Sequence, residues 1–185
     1  NNMIVNNLAT DTGGGISADD ALDVRIVNNT IARNISTGMA EDADHSTCNP
    51  PDLGSCPHSA GLVVEEHSQA LMAARSPAKN FTDPVLFNNI FWQNEAFYLD
   101  GAGNLPSAGY IDLEVFGTPT TEYLTPMWSL LTVPYGPGDP SNIVGSDPLF
   151  VEQIDLKFTA IAFAGDPQFV TVQIISTPED PQGDY

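Results

Sequence analysis

The sequence predicts an all-β chain wound as a coiled sheet with stacked corners, and three observations predict it. An apolar residue, two asparagines and a second apolar run recur as Val5-Asn6-Asn7-Leu8, Val27-Asn28-Asn29-Thr30-Ile31 and Phe87-Asn88-Asn89-Ile90-Phe91. Asparagine readily turns a corner with positive φ, and its amide stacks on an identical amide one layer above, so recurrence between short apolar segments points to stacked corners. Short segments also alternate apolar with polar residues, and helix formers rarely occur together. In its sharpest form the prediction places Asn6, Asn28 and Asn88 in shared vertical columns.

The elements follow in chain order. Asn6 and Asn28 are 22 residues apart, a spacing suited to one turn of short strands and bends, and Asn88 follows 60 residues later. The added length lies in two excursions. Residues 38–60 are rich in Asp, Ser, Pro and Gly and carry the cysteines, and residues 65–80 also interrupt the pattern. Gly13-Gly14-Gly15 precedes Ile16 as Gly61 precedes Leu62, comparable places where glycine permits a bend. In Leu22-Asp23-Val24-Arg25-Ile26 a period of two puts Leu22, Val24 and Ile26 inside and Asp23 and Arg25 in solvent. Ile111, Leu113 and Val115 alternate in the same way with Asp112 and Glu114, as do Val170, Val172 and Ile174 with Thr171 and Gln173.

One helix is predicted, Gln69 to Arg75, which Pro77 stops. From Gly117 to Asp147 prolines stand at 119, 126, 134, 137 and 140 among Trp128, Leu130, Leu131 and Tyr135, which predicts a long, partly buried loop and no regular strands. Asp-Pro pairs beginning at Asp83, Asp139, Asp147, Asp166 and Asp180 bias the chain to extended or turning geometry, because the residue before proline avoids the helical region. A single domain is expected over residues 1–185, as part of a longer chain or assembly, with 38–60 as a stapled insertion and 117–147 as a Pro-rich loop.

Asp and Glu number 24 against 5 Lys and Arg, and the formal charge of −19 argues against nucleic acid or an anionic membrane as partner. No apolar run is long enough to span a bilayer as a helix. Acidic side chains on outward positions fit an extracellular or cell-surface protein. Cys48 and Cys56 flank a segment that must turn, and a disulfide there fits an oxidising compartment. A metal clip with His45 and His58 is the alternative, although its spacing matches no familiar zinc pattern. His67 stands alone.

Gly14-Gly15-Ile16, the run from Ile26 to Asn34, the run from Asn88 to Asn94 and Asp147-Pro148-Leu149-Phe150 resemble right-handed parallel β-helix proteins of the pectin-lyase-like superfamily, especially large secreted or surface-anchored bacterial members. The resemblance covers roughly residues 3–100 and 143–185 and implies a solenoid with long loop excursions. Its motifs are scaffold residues, so it implies a fold and no catalytic set. The resemblance therefore implies a structural role, as a scaffold, an adhesin-like protein or an assembly subunit, with other protein subunits or the remainder of a longer chain meeting it through coil ends.

The alternative function is a polysaccharide-active or carbohydrate-binding protein. Lyases of the resembled fold hold calcium with clustered carboxylates and use a basic residue to remove a proton beside a uronic acid carboxylate. Asp19, Asp20 and Arg25 are the candidates for such catalysis, and Asp19-Asp20 also echoes the carboxylate pair that glycoside hydrolysis needs. Asp19, Asp20, Asp23, Glu41, Asp42 and Asp44 are the candidates for calcium. No other cofactor is expected.

Overall fold

A computed structural model describes residues 1–39, 54–117 and 122–151. The chain divides into two compact units, Asn1–Pro148 and Leu149–Tyr185, and of the second only residues 149–151 are among those described.

The first unit is mostly β-structure with one short helix. The elements are β1 (Met3–Val5), β2 (Leu8–Ala9), β3 (Ile16–Ala18), β4 (Arg25–Val27), β5 (Thr30–Ala32), β6 (Ile35–Ser36), β7 (Leu62–Glu65), α1 (Gln69–Arg75), β8 (Val85–Phe87), β9 (Ile90–Trp92), β10 (Glu95–Phe97), β11 (Ser107–Tyr110), β12 (Leu113–Phe116), β13 (Leu130–Leu131) and β14 (Ile143–Val144). They form four sheets, ordered β1-β5-β9-β13-β14, β11-β10-β6-β2, β12-β7-β3 and β4-β8. Every pairing among them is parallel except β10 with β11. Apart from β10 with β11 and β13 with β14, consecutive strands lie in different sheets, and parallel partners are separated by long stretches of chain. This is how parallel pairing must be reached, since a tight hairpin cannot make it.

The register lines up like residues. Ile4, Ile31, Phe91, Leu131 and Val144 are successive partners across the largest sheet. Leu62 pairs with Ile16 on one side and Leu113 on the other, and Ile26 pairs with Leu86. Apart from Val144, which is exposed, these residues meet in one core with Phe81 and Leu124, and Ile31, Leu62, Leu86 and Phe91 are wholly buried. Each such side chain contributes about 1.5–3 kcal/mol by leaving water.

Each corner uses two residues for two jobs. The first takes the left-handed conformation and the second turns its side chain inward. Asn28, Asn88 and Trp128 are the left-handed residues at one corner, with φ of 58°, 54° and 51°, and Asn6, Arg33 and Gln93 at the other, with φ of 56°, 54° and 51°. The shared column expected for Asn6, Asn28 and Asn88 is therefore corrected. Val27 pairs with Phe87, which places Asn28 beside Asn88, and the Nδ2 of Asn88 donates to the Oδ1 of Asn28 at 2.7 Å. Val5 instead pairs with Ala32, and Ala32 with Trp92, so Asn6 stands with Arg33 and Gln93. The spacing between equivalent positions in the first two strands of the large sheet is 27 residues, not 22.

Gly15 and Gly61 are register neighbours, as their sequence context predicts, with the N–H of Gly15 bound to Ala60 and that of Ile16 to Gly61. Their shared requirement is space, not a left-handed bend. A Cβ on Gly61 would run into the carbonyl oxygen of Asp112, and one on Gly15 would lie 2.7 Å from the carbonyl oxygen of Gly61. The helix forms where predicted, capped by the Ser68 side chain, which accepts the N–H of Leu71, and ended by Ser76 in the left-handed conformation.

Two expectations change. Within the Pro-rich stretch, β13 and β14 extend the largest sheet, and Met127 forms a parallel bridge with Phe87. The prolines at 126 and 134 fall just outside β13, so they do not interrupt its ladder. Asp112, expected in solvent, is only 3% exposed. It precedes β12 and its side chain turns inward to accept hydrogen bonds.

Candidate functional site

Two ladders of buried amides run through the sheets. In the first, the Oδ1 of Asn29 accepts the backbone N–H and Nδ2 of Asn2 at 3.0 and 2.9 Å, and the Oδ1 of Asn89 accepts the same two groups of Asn29 at 2.9 and 3.3 Å. Ser129 then takes the N–H of Asn89 on its hydroxyl, and Asn142 takes the N–H of Ser129. In the second, Asn34 accepts both groups of Asn7 at 3.0 and 2.9 Å, and Asn94 accepts both groups of Asn34 at 3.2 and 3.0 Å. The remaining Nδ2 hydrogens of Asn34, Asn89 and Asn94 go to the carbonyls of Ile4, Ile26 and Ile31. A buried amide has two donors and one oxygen with two lone pairs. The oxygens of Asn29, Asn34, Asn89 and Asn94 each accept two hydrogens and the Nδ2 groups of Asn29, Asn34 and Asn94 each donate two, so the desolvation cost of an unpaired group is avoided there.

The second ladder ends on a carboxylate. Asp112 accepts the Nδ2 of Asn94 on Oδ1 at 2.9 Å and the N–H of Thr132 on Oδ2 at 2.7 Å. The two donors meet different oxygens of the carboxylate. Burial pushes the Asp112 carboxyl above its usual range, while the bonds from Asn94 and Thr132 oppose that shift.

The sequence-predicted acidic group lies near the start of α1. The Oδ1 of Asp20 accepts the N–H of Ser68 at 2.7 Å and lies 3.7 Å from the Nδ1 of His67. Hydrogen bonds from Ser68, through its side chain and then its backbone, hold the Asp20 carboxyl below the usual carboxylate range, with His67 contributing in the same direction. The His67 side chain is 1% exposed, and its Nδ1 has no hydrogen-bond partner among the described residues. Nearby, desolvation and the negative charges of Asp19 and Asp11 raise the Glu65 carboxyl, against a bond from Ser17. Asp20 sits two residues beyond β3 and His67 two beyond β7, and the pairing of Ala18 with Val64 brings them together. His67 was missed because its partner is 47 residues away in the chain and is supplied only by that register.

A second histidine is also paired. His58 Nδ1 lies 2.9 Å from Oε1 of Glu114, whose Oε2 accepts the N–H of Ser59 at 2.6 Å, and the imidazole packs edge-on against Phe116 at 4.9 Å between centroids.

Of the predicted catalytic residues, the structure brings Asp20 to His67 and Asp19 into the electrostatic neighbourhood of Glu65. Arg25 points outward on β4, where its register partner is Val85. Asp23 is exposed in a left-handed turn. Among the described residues no three His, Cys, Asp or Glu side chains gather as metal ligands. Glu41, Asp42, Asp44, His45 and Cys48 lie outside the described residues, as do Val170, Val172 and Ile174. Cys56 is buried. No helix among the described residues is long and apolar enough to cross a membrane. No protein-family model, curated protein or solved structure matches this chain.

Proposed function

We propose that the chain winds as a right-handed parallel β-helix with long loop excursions and serves as an extracellular or cell-surface scaffold or assembly subunit, joined to further protein through its coil ends. The observation that carries this reading is the pair of amide ladders. They tie strand to strand through Asn2, Asn29 and Asn89 and through Asn7, Asn34 and Asn94, so these amides are spent on holding the stack. The charge of −19 and a Cys48–Cys56 disulfide fit an extracellular setting. Nitroxide labels at Thr30 and Ile90 test the stack, because neighbouring strands lie about 4.8 Å apart and the spectrum should show strong dipolar broadening. A sandwich with these residues far apart would leave the spectrum sharp.

A second reading is a polysaccharide-active protein, favoured by the Asp20–His67 juxtaposition, since a carboxylate beside a buried imidazole is a common acid–base arrangement. A screen on pectin and alginate, with and without calcium, separates the two. The scaffold reading expects neither turnover nor binding. Turnover abolished by Asp20→Asn or His67→Ala would overturn it in favour of the second.

A further inference from the structure

Resting on the stacked-coil reading, we infer that the face formed by β1, β2 and β3 is a docking surface for one further parallel coil carrying asparagines five positions apart. The ladders have a direction. At every step from Asn2 to Asn29 to Asn89, and from Asn7 to Asn34 to Asn94, the residue of lower number donates its backbone N–H and Nδ2, and the residue of higher number accepts both on Oδ1. Asn2 and Asn7 donate in this way, but among the described residues their own Oδ1 atoms accept nothing, and both side chains are exposed. Asn7 also lacks the bond to a carbonyl of a preceding strand that Asn34 makes to Ile4 and Asn94 makes to Ile31.

The rest of this face is unfinished in the same sense. Among the described residues β1 pairs only with β5, β2 only with β6 and β3 only with β7, so three parallel strands share one open side. Ile4 and Ile16 are half-buried, whereas their partners Ile31 and Leu62 are fully buried. An open edge of this kind templates another strand.

Complementarity selects the occupant. The two open oxygens require two backbone N–H groups and two side-chain amides, delivered five positions apart, as by Asn29 with Asn34 and Asn89 with Asn94. A second copy docking by its opposite end does not meet this. Its second ladder ends on Asp112, a buried carboxylate already occupied by Asn94 and Thr132 and with no side-chain N–H to donate, and two chains of charge −19 repel.

The test lengthens the whole chain at its amino end by a second copy of residues 1–27, which sets the copied asparagines 27 residues before Asn2 and Asn7. Amide exchange in Met3–Ala9 should slow by about tenfold or more and the melting temperature should rise. The same extension with alanine at the two copied asparagines should give neither effect. Equal effects from both extensions, or none from either, would overturn the inference. Should the extended chains fail to fold, a peptide of residues 26–36 added to the unmodified protein should slow exchange at the same amides, and its Asn29→Ala, Asn34→Ala form should not. Self-association of the unmodified chain in light scattering, with protection of Met3–Ala9 that depends on its own concentration, would also overturn it. Loss of the Thr30–Ile90 dipolar signal would instead remove the stacked-coil reading, so the two failures are distinguishable.

Discussion

The Nδ2 of Asn34 donates to the Oδ1 of Asn94 at 3.0 Å across two strands whose residues are 60 positions apart in the chain, and both side chains are wholly buried. Asn34→Ala removes this bond and leaves the Asn94 oxygen and the Ile4 carbonyl each short of a donor, while the exposed Asn7 amide can turn to water. Each unsatisfied buried group costs about 1–3 kcal/mol, so a loss of about 3 kcal/mol is expected from urea unfolding. Asn94→Ala should cost a similar amount, and the double variant less than the sum. Asn28→Ala, at an exposed left-handed corner, should cost about 1 kcal/mol or less.

Gly61→Ala places a methyl group against the carbonyl of Asp112, an atom fixed by the sheet. Such overpacking typically costs 1–3 kcal/mol, and rigid backbone puts this case at about 3 kcal/mol or more. Gly101→Ala meets nothing within 4 Å and should stay within about 0.5 kcal/mol of the parent in thermal unfolding.

Asp112 gives the fold a pH dependence of a definite sign. Burial raises its folded-state pKa above the unfolded value, so its contribution is fully present below the unfolded pKa and is lost as pH rises through the folded one. Asp112→Asn should flatten this part of the stability curve in denaturant titrations across the carboxylate range. At neutral pH the variant should also be less stable by about 1–2 kcal/mol, because an amide cannot accept from both Asn94 and Thr132.

If Cys48 and Cys56 are joined as the proposal has it, thiol titration of the denatured, unreduced chain should find no free thiol. Cys56→Ser should lower stability by about 2–3 kcal/mol, in line with the closure of a short loop. Two reactive thiols in the unreduced chain would remove the disulfide.

Legibility followed the range of the signal. The equivalence of Gly15 and Gly61 was visible because each glycine directly precedes an apolar strand, although the reason for glycine is the carbonyl stacked against it. Helix α1 was visible because propensity, cap and stop are local. The asparagine pairs marked corners correctly but hid which corner, since there are two kinds of corner and the second carries Arg33 or Gln93 where Asn6 stands. Asp112 looked like a surface residue because alternation assumes a regular strand, and it precedes one. Asp20 with His67, and His58 with Glu114, could not be foreseen, because strand register alone brings those partners together.

The ladder geometry is the same across a separation of 27 residues as across one of 60, with 2.9 Å from Asn7 to Asn34 and 3.0 Å from Asn34 to Asn94. Strand pairing is therefore uncoupled from how much chain lies between the paired strands. Foreign sequence grafted into the connections, away from the asparagines and the packed glycines, should leave the ladders untouched, so these sheets form a frame whose connections can change while its register does not.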